Sequence, residues 1–324
     1  MNDNFDVILK VSNITEEVRI ILEESFKALI INIKNGLELE TNTLDRVILT
    51  ENYVNELQLL EKEGMDKNLL TYTDNGLGVG IGKCITFNEK DILILGETFL
   101  RLFFDDDKRQ TANNILAHEL SHIDDRNKKK EYIKDFFSDE YFNYEDKIYY
   151  PLIKSSWNEF YANYKSSVLL TQTNIEWSHD TFFRALNSFN DNIFVKKWNY
   201  QNGLISLEEF LDSFNQHAFY LFSQASYFLG NVLGMNYSLN KYLYDNKLNI
   251  KGTIMEETLY SMENIFSSLI KKYPNKWNGV HELENLKNCL IDYYKDIGVI
   301  FEKDFTHVLF TKYGYQIPVN NINI

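Results

Sequence analysis

Five consecutive residues carry the sharpest chemistry in the chain: His118-Glu119-Leu120-Ser121-His122. They sit within Asn113-Asn114-Ile115-Leu116-Ala117-His118-Glu119-Leu120-Ser121-His122-Ile123, which reads as helix. On a helix, positions i and i+4 lie one turn apart on the same face. Two imidazoles so placed can grip one zinc ion. Glu119 then lies beside the metal, where a carboxylate can take a proton from water.

Two histidines do not complete a catalytic zinc site, which needs three protein donors and one open position. A third His six residues after His122 would finish one known pattern, the metzincin one, but position 128 is Lys. The other arrangement takes a Glu from a later helix. Glu159 is the best placed, in Trp157-Asn158-Glu159-Phe160-Tyr161-Ala162-Asn163. Ala162 is small enough to let two helices approach closely. Asn163, one turn beyond Glu159, can hydrogen-bond the second ring nitrogen of a liganding His. Glu176 and the acidic residues between 135 and 146 compete for the ligand position. Asp124 and Asp125 follow the motif directly. Asp125 is a candidate to orient His118 or His122 from behind, against the competing role of a solvated helix end. For stabilising an oxyanion, His217 is one candidate, His179 another, with Tyr161 and Tyr164 behind them. A lone His on an aromatic helix is more often a satisfied core residue, and His281 and His307 read as structural or surface.

The elements that must position these groups are mixed in the first half. Asn13 followed by Glu16 predicts a capping box before a helix to about Lys34, ended by Asn35-Gly36. Leu44 to Thr50 is a strand pattern, and Asn52 to about Lys62 a helix that stops near Gly64. Asp74-Asn75-Gly76 signals a turn. Gly78 to Phe87 and Asp91 to Leu95 then read as strands joined by Asn88-Glu89-Lys90. Gly80 and Gly82 point to a bulge or a close backbone approach; the spacing of a nucleotide-binding loop is missing. Glu97 to Phe104 reads as a short helix. Asp105-Asp106-Asp107 is expected to cap the metal helix, from about 107 to 127, with an acidic first turn. The three Asp lack the alternating ligands and Gly of a calcium loop. Residues 135 to 150 read as loop or short helices ending at Pro151, with helix resuming at Ile153 and running to about Leu170. Beyond Thr171 the pattern is helical: Asp180 to Asn190, Ser206 to Gly230, Ile254 to Lys272 and Leu283 to Tyr294. Ala218 to Gly234, the most apolar stretch, is interrupted by polar residues and too short for a span of ~20 apolar residues; it reads as a buried core helix, with a membrane-surface role as the rival.

Composition sets the outer bounds. The 324 residues are 44% hydrophobic and can bury a sizeable core, while a net charge of −14 without a long basic run argues against nucleic acid as a partner. The basic cluster Arg126 to Lys130 reads as a complement to a helix C-terminus. Two distant cysteines, Cys84 and Cys289, are no disulfide framework and fit a reducing compartment. The acidic start, Met1 to Asp6, has no apolar core of a signal peptide, so the expected location is cytoplasmic.

Glu159-Phe160-Tyr161-Ala162-Asn163 resembles the Glu-x-x-Ala-(Asn/Asp) third-ligand motif of ImmA/IrrE-like peptidases, and of the small "minigluzincin" core shared with HtpX-like membrane peptidases. The stretch Ile92 to Leu100 followed by Ile115 to His122 resembles the same core: a strand, a short helix, then the metal helix. The resemblance covers roughly residues 45 to 170. It implies a gluzincin-type zinc metallopeptidase with His118, His122 and Glu159 on the metal, Glu119 as general base, and a peptide or protein substrate held by strand addition to residues 78–87 or 91–95. The resulting expectation is an α+β chain: a zincin-like half over 1–172, then an all-helical domain over 173–324. Two rival readings use the same residues: a gluzincin scaffold whose helical half recognises a partner, and a zinc hydrolase of small amides.

Overall fold

The structure, a computed structural model, describes residues 4–66, 81–133, 136, 144–301 and 306–308. The class is α+β. Four strands, β1 (Asp6–Lys10), β2 (Leu44–Thr50), β3 (Gly82–Phe87) and β4 (Lys90–Leu95), form one mixed sheet in the order β1-β2-β4-β3. β1, β2 and β4 run parallel; β3 turns back antiparallel to β4. Strands buried on both faces read as near-continuous apolar runs, and β2 and β4 do. Successive side chains divide between the two faces. Val47, Leu49, Leu93 and Leu95 pack with Phe26 and Ile30 of α1 (Glu16–Gly36) and Phe99 of α3 (Glu97–Phe104). Ile48, Ile92 and Ile94 pack with Leu57 and Leu60 of α2 (Tyr53–Lys62) on the other face.

Several local expectations shift. The cap of α1 is Thr15, whose hydroxyl accepts from the Val18 amide, and Asn13 instead adopts φ +61° in the preceding turn. The β3–β4 turn is tighter than drawn: Asn88 and Glu89 both take positive φ, +49° and +65°, the geometry of a two-residue type I′ hairpin. Asp74-Asn75-Gly76, Gly78 and Gly80 lie outside the described residues. The three Asp stand ahead of α4 (Arg109–Tyr132), not in its first turn, and Asp105 and Asp106 pair with Lys108 and Arg109.

Pro151 does not end an element. It lies inside α5 (Tyr144–Ser166). Proline in a helix interior costs about 3 kcal/mol through its missing donor and its ring. Here Tyr149, Leu152, Ile153, Trp157 and Phe160 are all buried, one stripe at helical spacing that continues across the proline. Burial of that stripe offsets the local penalty.

The remaining chain is helical: α6 (Gln172–Gln201), α7 (Leu207–Gly234), α8 (Leu239–Asp245), α9 (Glu256–Lys272) and α10 (Glu284–Ile297). Ser206 and Glu209 close a full capping box at α7, a buried core helix. This half is not wholly helical, because β5 (Val299–Phe301) and β6 (Thr306–Val308) pair antiparallel after α10. The chain divides into two compact units, residues 1–128 with 161–177, and residues 129–160 with 178–324. Among the described residues no helix is long and apolar enough to cross a membrane.

Candidate metal centre

Helix α4 carries two stripes. Ala112, Leu116, Leu120 and Ile123 are fully buried and belong to the apolar cluster on the sheet. A second, polar stripe runs through Thr111, Asn114, His118 and His122 at helical spacing. Thr111 meets the hydroxyl of Thr171 at 2.9 Å, and Asn114 donates to the Ser166 carbonyl at 2.9 Å. The Asn163 side chain lies beside His118 and pushes its pKa upward. The partners fall from Thr171, past the end of α5, through Ser166 to Asn163 as the α4 positions rise, so α5 and the chain after it run antiparallel to α4 along a polar seam.

That seam brings together His118, His122 and Glu159. One ligand atom from each lies within 4.8 Å of the others, and among the described residues this is the group of three or more His, Cys, Asp or Glu side chains able to hold a metal ion. The two histidine Nε2 atoms face each other at 3.1 Å, with ring planes at 87°. Two nitrogens ~2.0–2.1 Å from a tetrahedral ion stand roughly 3.3 Å apart, so the pair is close to that spacing.

The electrostatics fit a cation. Burial lowers the His118 pKa to about 4, with the neighbouring Asn163 side chain opposing the shift, so the ring is neutral and keeps a lone pair to donate. Burial raises Glu159 to about 7, as for a carboxyl taken out of water. A bound cation would supply a compensating charge. Donor chemistry, spacing and burial all suit a divalent metal with nitrogen and oxygen ligands.

Glu119 points elsewhere, toward the sheet. A Cβ built on Gly82 of β3 would lie 3.3 Å from both Cγ and Cδ of Glu119 and 2.9 Å from Cδ2 of Leu95. The close backbone approach expected of Gly82 is therefore an approach to the acid of the motif.

Asp124 and Asp125 are not a solvated helix end, because α4 continues to Tyr132 and both are buried. Asp124 Oδ1 accepts from the Glu40 amide at 2.7 Å; its Oδ2 accepts from the Tyr161 hydroxyl at 2.6 Å and Lys128 Nζ at 2.9 Å. Asp124 thus ties α4 to α5 just past the metal group. Tyr161→Phe removes one of those donors from a buried carboxylate and should cost ~1–3 kcal/mol, seen as a lower denaturant midpoint at unchanged slope. Of the basic cluster, Lys129 and Lys130 do lie in the last turn of α4, whereas Arg126 lies ahead of it. Arg126 pairs with the buried Asp91, and Lys129 donates to Asn158 at 2.5 Å. Nothing in the sequence pattern marked these pairings, since Asp91 lies 35 residues from Arg126; the available signal was an Asp at the head of an otherwise apolar strand.

The other candidates are engaged elsewhere. Glu176 takes a hydrogen bond from Gln172 at 3.0 Å, and Asp146 pairs with Lys287 at 2.6 Å. Residues 137–143, the middle of the competing acidic segment, lie outside the described residues. His217 Nδ1 stands 2.7 Å from the Ser213 carbonyl of its own helix, and His179 Nε2 stands 2.6 Å from the Tyr242 hydroxyl. The Tyr161 hydroxyl is spent on Asp124. Asp125 is 2% exposed, three residues past His122.

Of the two strands considered for holding an extended peptide, residues 91–95 are excluded, because β4 lies between β2 and β3. β3 is an edge. So is β1, but side chains of α1 already cover it: Glu23 accepts from the Leu9 amide at 2.8 Å and Lys27 donates to the Phe5 carbonyl at 2.6 Å.

Comparison of the chain with protein-family models, with curated proteins and with solved structures finds no match.

Proposed function

We propose that this protein is a zinc-dependent metallopeptidase of the cytoplasm that hydrolyses peptide bonds in a peptide or protein substrate, with Glu119 as general base. The reading is carried by one observation: Glu159, 37 positions beyond His122, comes within 4.8 Å of the histidine pair. His118, His122 and Glu159 would hold the ion, which when bound supplies a Lewis acid for a carbonyl and lowers the pKa of water toward neutrality. Glu119 accepts the proton of the attacking water and returns it to the leaving amine. Asn163, beside His118, would orient that ring once the ion is bound. Edge strand β3 offers backbone donors and acceptors to an extended peptide lying beside the Glu119 carboxylate.

The test is cleavage of a diverse peptide library by the zinc-loaded full chain. Cleavage is expected to stop with 1,10-phenanthroline and return when zinc is restored. Cleavage that survives complete metal removal, or none by the zinc-loaded protein, contradicts the proposal.

A further inference from the structure

We infer that Gly82 is a positioning residue for Glu119: the missing side chain at the head of edge strand β3 lets the carboxylate lie directly against the strand. The kinetic consequence rests on the peptidase reading above; the contact itself does not.

Glycine weakens a strand, so one inside it needs a reason. The usual reason, a backbone conformation closed to other residues, is absent here, since Gly82 is not among the positive-φ glycines. An L-residue would fit the backbone. What excludes it is space, and the atoms in the way are Leu95 Cδ2 at 2.9 Å and Glu119 Cγ and Cδ at 3.3 Å. Leu95 presents the end of a side chain that can rotate. Glu119 is the other party that must give.

Helix α4 cannot simply back away. Two turns beyond Glu119, Arg126 pairs through Nη1 with Asp91 of β4 and stands 3.6 Å from Cys84 Sγ on β3. Asp91 is fully buried and also accepts from Thr86 Oγ1 at 2.7 Å. Breaking a buried pair of this kind is costly, because it strands a charge. Gly82, Cys84 and Thr86 alternate onto one face of β3, the face toward α4. The helix is therefore anchored over position 84 and in close contact over position 82. A methyl group at 82 is absorbed by the Glu119 side chain, which shifts by a few tenths of an ångström. Proton transfer to a positioned base is sensitive to displacements of that order.

Gly82→Ala is expected to lower kcat about tenfold with KM within twofold, while zinc content stays that of wild type. Two further variants separate positioning from a packing fault. Gly82→Ala with Leu95→Ala removes the leucine clash and should keep the loss; recovery of kcat there would overturn the inference. In a Glu119→Asp background, where the acid is one methylene shorter, adding Gly82→Ala should cost less than twofold; full additivity would overturn it. A readout independent of turnover is the ¹³C resonance of the Glu119 carboxyl, assigned by its disappearance in Glu119→Gln. It should move in Gly82→Ala and stay in place in Leu95→Ala, and an unmoved resonance in Gly82→Ala overturns the inference. Should the protein show no hydrolysis, the peptidase reading falls, and the resonance still decides the contact.

Discussion

Glu119→Gln is expected to lower kcat for peptide hydrolysis by about 10²–10⁴-fold with zinc content and KM unchanged. The substitution is nearly isosteric, so the packing of the side chain against Gly82 survives. What it removes is the ability to accept a proton. His118, His122 and Glu159 keep their donor atoms, so a variant that loses both zinc and activity would assign Glu119 a different role. The same variant separates an enzyme from a partner-binding scaffold, because recognition does not need a proton acceptor at this position. Unchanged hydrolysis would remove Glu119 from the chemistry.

Glu159→Ala is expected to weaken zinc binding by more than about 100-fold. The remaining donors, His118 and His122, lie one helical turn apart and supply two ligands where a stable site uses three or four. Substitution of an outer residue that orients a ligand typically costs 10–100-fold, which sets a lower bound for removal of the ligand itself. Asn163→Ala, which removes the amide beside His118, should fall within about that 10–100-fold range. The order Glu159→Ala beyond Asn163→Ala beyond wild type, read by competition with a fluorescent zinc chelator, follows from their positions. An Asn163→Ala variant weaker than Glu159→Ala would reverse it.

The site was legible in sequence to the extent that its determinants are local. Residues 118–122 specify a helix and a donor spacing together. The segment around Glu159 pairs an acid with a small residue and an amide at helical offsets, so its face could be assigned without knowing its neighbour. Strand Leu44–Thr50 and helix Glu97–Phe104 were read with their observed bounds, because each is a short, unbroken pattern between breakers. Failures occur where a nonlocal term outweighs a local one. Pro151 looked like a boundary, and the buried stripe from Tyr149 to Phe160 overrode it. Asp124 and Arg126 looked solvent-facing by type; buried partners 37 and 35 residues away hold them in place. The interior position of β4 is a matter of strand order, which no single segment encodes. Gly82 stood between these cases: its residue type announced a close approach, and only the fold could say that the approach is to Glu119.

The most direct measurement is zinc per chain by elemental analysis, on wild type and Glu159→Ala purified without added metal. The account predicts about one zinc per wild-type chain and clear loss in the variant. Zinc retained in Glu159→Ala would take the third ligand away from α5. A wild-type chain that binds no zinc even when it is supplied would contradict the central claim.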